Sequence, residues 1–136
     1  MEELVRFGVS ISDSLLNEFD KMIDEKGYKS RSEAIRDIIR VSLISEAIKE
    51  NTICYGTITL IFDHHVRELS AKLTEYQHKY FKNIVSNLHV HIDHDNCLEV
   101  IVVHGRSDEL KSLSNQMIGI KGVKHGKLVL TSLVKE

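Results

Sequence analysis

The sequence predicts an α+β protein in two parts: one strand with two helices, then a β-α-β-β-α-β unit of the split βαβ, ferredoxin-like kind. Three observations lead there. Residues 4–11 alternate in polarity and precede two stretches of helical period. From residue 52 the order of apolar runs and helical segments reads strand, helix, strand, strand, helix, strand. The pattern changes near residue 51, giving segments 1–50 and 51–136, although no proline and no Gly/Ser-rich linker marks the change.

In the first segment Val5, Phe7, Val9 and Ile11 fall on one face of a short strand, with Leu4, Arg6, Gly8 and Ser10 on the other. Ser12 or Asp13 caps a helix in which Leu15, Leu16, Phe19, Met22 and Ile23 recur at helical spacing, and Gly27 stops it. A long amphipathic helix, YKSRSEAIRDIIRVSLISEAI, follows and opens with a Ser30-x-x-Glu33 capping box. One strand and two helices cannot close a sheet alone. Pairing the strand with that of a second copy across a two-fold axis is the simplest completion.

The second segment begins with the strand TICYGTITLIF. Asp63 is placed to cap a helix over HHVRELSAKLTEYQHKYF, in which Val66, Leu69, Leu73 and Tyr76 or Gln77 keep the helical period. LHVHI and CLEVIVV read as an antiparallel hairpin. Ser107 to Leu110 start another helix, Gly119 and Gly122 end it, and GKLVLTSLV is the last strand.

The hairpin carries the strongest chemical signal, HVHIDHDNC over residues 89–97. His89 and His91 alternate on one strand, so both project from one face. Imidazoles with a nearby thiolate suit nickel, copper or zinc, whereas calcium and magnesium want oxygen ligands. For Cys97 to join that face it must sit opposite His91, which requires a five-residue loop or a bulge and so predicts an irregular turn. The alternative is an exposed His-rich strand with a buried cysteine. Glu99, Asp93 and Asp95 are candidates to orient the imidazole N–H groups. His94 lies in the turn, His104 ends a strand, and Cys54 reads as a small buried residue.

Composition excludes several classes. With 42% hydrophobic and 28% charged residues the chain is ordinary for a soluble globular protein. No apolar run is long enough for a membrane span, and MEELVRF is not a signal peptide, so a cytoplasmic protein without membrane contact is expected. Two cysteines make no disulfide framework. No nucleophile motif, acid/base pair or phosphate-binding Gly loop accompanies the His/Cys cluster, which argues against an enzyme. Residues 1–50 hold 8 basic and 11 acidic side chains, a net of −3. Binding to nucleic acid would therefore depend on how those charges are distributed.

The strand VRFGVSI, the helix SDSLLNEFDKMI and the junction GYKSRSEAIRD resemble the ribbon-helix-helix family of DNA-binding proteins. That resemblance implies a two-stranded ribbon in the major groove, with Arg6, Gly8 and Ser10 at the base-reading positions. Arg6 suits guanine, and Gly8 offers no side chain. Ser30, Arg31 and Ser32, at the start of the second helix, would hold a phosphate. With Gln77-His78, LHVHIDHDNCLE and GVKHG added, nearly the whole chain resembles the nickel-responsive ribbon-helix-helix regulators, NikR.

This larger resemblance implies an ACT-type regulatory domain over 51–136 that assembles a homotetramer, a dimer of ribbon-helix-helix dimers. It implies Ni(II), one per subunit, held by His78, His89, His91 and Cys97, with His78 from a neighbouring subunit. It also implies a palindromic double-stranded operator, control of nickel uptake as a repressor, and a second cation at Glu33 and Asp37, otherwise an ordinary solvated pair. His64 and His65 lie near a loop that the family uses around its DNA-bound form, with a regulatory or second metal role set against that of plain surface histidines, and Gly122 and His125 belong to the GVKHG that resembles the family's. The rival expectation is a ribbon-helix-helix repressor or antitoxin-like protein that senses a small molecule through its ACT-like domain, with His89, His91 and Cys97 dispensable.

Overall fold

The computed structural model describes residues 2–135. It has the element order α1 (Asp13–Lys26), α2 (Arg31–Lys49), β1 (Ile53–Asp63), α3 (Leu69–Lys79), β2 (Ile84–His91), β3 (Asn96–Arg106), α4 (Ser107–Ile118) and β4 (Val123–Thr131). Two compact units result, one covering the N-terminal residues to Leu43 and the other Ile44–Leu133, so the division falls within α2.

Local chemistry sets the helix ends of the first unit. The Leu15 N–H donates to Ser12 Oγ at 3.3 Å, and α1 stops at Gly27, which adopts φ 76°. The N–H groups of Gly27 and Tyr28 close on the Asp24 and Ile23 carbonyls at 3.2 and 3.1 Å, satisfying the last turn. At the start of α2 the Glu33 N–H donates to Ser30 Oγ at 3.1 Å. The returning half of the capping box lands one residue earlier than predicted, where Glu33 accepts the Lys29 N–H at 3.2 Å.

The strand expected over residues 4–11 does not form within one chain: residues 2–11 have no ladder partner, and a strand needs one for its N–H and C=O groups. Its apolar face is laid bare, with Phe7, Val9 and Ile11 at 69, 63 and 43% exposure. These side chains, with Leu15, Phe19 and Ile38, line an open apolar cavity of about 850 Å³. Within α1 and the unit's part of α2, only Ile23 and Ala34 are buried.

The second unit is the predicted ferredoxin-like arrangement. Its sheet is antiparallel in the order β2-β3-β1-β4. Alternate residues of β1 and β3 (Cys54, Ile58, Leu60 and Phe62; Cys97, Ile101 and Val103) pack on Leu69 and Leu73 of α3 and on Leu110, Leu113 and Met117 of α4. The opposite face holds Tyr55, Thr57, Ile61, Leu98, Val100 and Val102, none of them buried.

The helix expected from His64 to Phe81 is shorter than its periodicity implied. Asp63 Oδ1 accepts the His65 N–H at 2.8 Å, which closes a turn instead of starting a helix. Glu68 then takes φ 68°, so helical geometry begins only at Leu69. Gly122 holds this turn in place. Its φ is 102°, a Cβ there would lie 2.9 Å from Val66, and its carbonyl accepts the Asp63 N–H at 3.3 Å. Strand β2 opens earlier than expected, at Ile84, and β4 is shifted, running from Val123 to Thr131 in place of 126–134.

Candidate metal centre

Strand register places the donor side chains. In the β2–β3 ladder His91 pairs with Cys97 and His89 with Glu99, and directly paired residues share a face. The five-residue connection this requires is present and irregular. Asp93 Oδ1 accepts the N–H groups of Asp95 and Asn96 at 2.9 and 2.8 Å, while the Ile92 N–H donates to the Asn96 carbonyl at 2.9 Å.

Cys97 is fully buried, and its Sγ lies 3.5 Å from His91 Nδ1. An ion about 2.3 Å from sulfur and 2.0–2.1 Å from nitrogen would hold those two donors roughly 3.1–3.6 Å apart. The pair fits one transition ion. His89 lies alongside, its ring centroid 5.4 Å from that of His91 and 5.8 Å from that of Phe62. Burial pushes the Cys97 thiol above its usual range, and the nearby charges of Asp93, Asp63 and Glu99 add to the effect.

Another donor enters from the turn after β1. His64, His91 and Cys97 present donor atoms that all lie within 4.8 Å of one another. The His64 Nε2–H donates to the His94 carbonyl at 2.6 Å, and the His64 backbone N–H donates to the Asp95 carbonyl at 3.1 Å, tying its ring to the hairpin turn. Sequence spacing did not single out His64 as a donor beside His91 and Cys97. The only signal was the His64-His65 pair directly after β1.

Behind these donors Glu99 is 5% exposed, and its Oε1 accepts from Gln77 Nε2 at 2.8 Å and Asn87 Nδ2 at 3.2 Å. These two amides take the carboxylate in place of the imidazole expected. Asp93 is spent on the turn's own N–H groups, and Asp95 pairs with His65. Gln77 points the last turn of α3 toward Glu99, while the adjacent His78 is exposed and stands outside the donor groups formed within one chain. His125 is exposed in β4 opposite Ile61, and His104 stacks on Tyr55 with centroids 4.4 Å apart.

In the N-terminal unit Arg6, Gly8, Ser10, Ser30, Arg31 and Ser32 are all exposed. Arg31 forms a two-pronged contact with Asp20, both bonds at 3.0 Å, which holds the Asp20 carboxyl below its usual range. Tyr28 donates its hydroxyl to Asp37, an interaction that raises the phenol, while Glu33 serves Lys29. Both carboxylates expected to share a cation thus already have protein donors.

Comparison with known proteins finds family matches to both parts of the chain. Residues 55–131 match the family model described as the NikR C-terminal nickel-binding domain, and residues 5–43 match that of ribbon-helix-helix proteins of the CopG family. A relative in Geotalea uraniireducens, provisionally named a nickel-responsive regulator, is 56% identical across all of this chain and 99% of its own length. A relative of the same provisional name in Geobacter sulfurreducens is 55% identical over the same shares. Among solved structures, an uncharacterized protein of Thermotoga maritima is similar in fold, with a TM-score of 0.53 at 16% identity over 58% of this chain and 98% of that one.

Proposed function

Because the chain belongs to the family of nickel-responsive ribbon-helix-helix regulators, we propose that it is a nickel-responsive, DNA-binding transcriptional regulator and not an enzyme. One observation carries the reading: the ladder seats His91 opposite a buried Cys97 at a spacing that suits one transition ion.

His89, His91 and Cys97 hold one Ni(II) per subunit, with His78 supplied by a neighbouring subunit. The exposure of His78 outside its own chain's donor groups supports that last role. Bound there, nickel joins donors that must first lose their protons and so ties two chains together. Gln77, anchored on Glu99, positions the helix turn that carries His78.

The open, largely apolar sheet face supports a tetramer, and bare Phe7, Val9 and Ile11 support pairing of two N-terminal strands. In the paired ribbon Arg6, Gly8 and Ser10 face bases, while Ser30, Arg31 and Ser32 meet phosphate, Arg31 exchanging Asp20 for it. Two-fold symmetry calls for a palindromic operator. The protein represses nickel uptake, with residues 1–50 as the DNA-binding domain and 51–136 as the regulatory one. Glu33 and Asp37 take a further cation when Tyr28 and Lys29 release them. No helix among the described residues is long and apolar enough to cross a membrane, in keeping with a cytoplasmic site of action.

The reading requires that nickel favour the DNA-competent arrangement over others. Binding to a candidate operator, measured with and without stoichiometric Ni(II) for wild type and His89→Ala, tests it. Nickel-dependent binding that the variant loses is expected. Equal binding in all four conditions would sink the nickel reading and leave the small-molecule sensor.

A further inference from the structure

We propose that the cleft between α3 and the end of α4 binds a small, multiply charged phosphate anion of the diphosphate class. It goes beyond the nickel-regulator reading and uses none of the residues assigned to nickel or DNA. The cleft has a volume of about 360 Å³, within the usual range for small-molecule sites. Lys72 and Lys79 line it from α3 and Lys121 from the turn after α4, beside Glu75, Tyr76 and Gln116. Their spacing is close to two helical turns, so Lys72 and Lys79 share one face of α3. Lys79 lies about 100° round that helix from its neighbour His78, which sets the cleft apart from the nickel donors.

Charge and shape point the same way. Three ammonium groups face one carboxylate, and among the described residues none of these lysines forms an ion pair. Like charges gathered in a concave surface repel one another and focus a positive field, and both effects favour an anion. Lysine offers a compact point charge on a flexible stem, which suits phosphate oxygens, whereas planar carboxylates are better matched by the fork of arginine. The walls are already tied together. Tyr80, directly after α3, donates its hydroxyl to Gln116 Oε1 at 3.2 Å, and Gln116 Nε2 donates to Ser112 Oγ at 3.2 Å. Lys79 Nζ lies 5.5 Å from the centre of the Tyr80 ring. Tyr76 is half-buried, and its hydroxyl makes no hydrogen bond among the described residues, which leaves a donor for a bound oxygen. A DNA backbone would call for a basic stripe along a surface, so a cleft of this size favours a small ligand. An anion there joins α3, whose last turn carries His78, to the turn before β4.

Calorimetric titration of the metal-free, full-length protein with pyrophosphate at low ionic strength tests the proposal, with citrate as the carboxylate counterpart. Wild type should bind one pyrophosphate per subunit, more tightly than citrate and less tightly as salt is added. Lys72→Gln and Lys121→Gln should each weaken binding about threefold or more, the order of an exposed charge pair. Glu75→Gln should tighten it, because the one opposing charge is gone. Lys111→Gln, on an exposed lysine of α4 outside the cleft, is the control and should change nothing. A wild type without saturable binding overturns the proposal. So does an affinity that both cleft variants leave unchanged, or a loss just as large in Lys111→Gln. Citrate bound more tightly than pyrophosphate would overturn the phosphate assignment. If pyrophosphate fails to bind while random-sequence duplex binds and weakens in both cleft variants, the lysines meet DNA phosphates and the small-anion site falls.

Discussion

At the scale of single residues the chemistry turns on Cys97. Its thiol is raised by burial and by three neighbouring carboxylates, so it remains protonated through neutral pH until an ion displaces the proton. The sign follows directly. On the proposed ligand set each nickel ion bound releases the thiol proton, so affinity should climb with pH, by about tenfold per unit from this group alone, and fall in acid. Competition titrations between pH 6 and 8 check the slope; a flat profile would mean that the thiol is not a ligand. Cys97→Ser should remove the thiol's share of the slope and abolish the thiolate absorption. His64→Gln separates the two histidines near the thiol: the proposed ligand set predicts nickel retained there and lost in His89→Ala.

Elements are where local and non-local causes part company. Gly122 shows the non-local kind, with φ 102° and no room for a Cβ beside Val66. Gly122→Ala should destabilise the chain by about 1–3 kcal/mol, readable as a lower denaturant midpoint. Val66→Ala added to it should recover only the steric part of the loss. The sequence revealed α1 and the start of α2 because their signals at Ser12, Gly27, Ser30 and Glu33 act within one turn of the backbone. Strand alternation also set the condition for seating Cys97 opposite His91, a five-residue loop or a bulge, and the ladder meets it. The sequence did not reveal that residues 64–68 leave the helix. Val66 keeps the helical period, but its place is set by Gly122, far along the chain. The place of His64 beside His91 and Cys97 was hidden for the same reason, because it depends on where that turn comes to rest.

For the whole molecule, the N-terminal strand poses the clearest test. Phe7, Val9 and Ile11 alternate as a buried face should, yet within one chain they stay largely exposed. A charge at their centre, Phe7→Asp, should weaken operator binding by roughly a hundredfold or more, about 3 kcal/mol, the order that burying an unpaired charge costs. Nickel binding by the second unit should be unchanged. Gel-shift titration beside nickel dialysis reads both effects, and operator binding that survives intact would rule out a paired ribbon. The expected strand 4–11 was legible as a pattern but not as a structure, because its ladder needs a second molecule.

The β2–β3 hairpin has a kinetic consequence. His89, His91 and Cys97 lie within nine residues of one another on adjacent strands. Closing so short a loop costs little chain entropy, and hairpins form in about 1–10 μs. The β1–β4 pairing, by contrast, must bring Tyr55 to Thr131 across most of the unit. These three side chains can thus come together early, from a few local contacts, before the rest of the sheet closes.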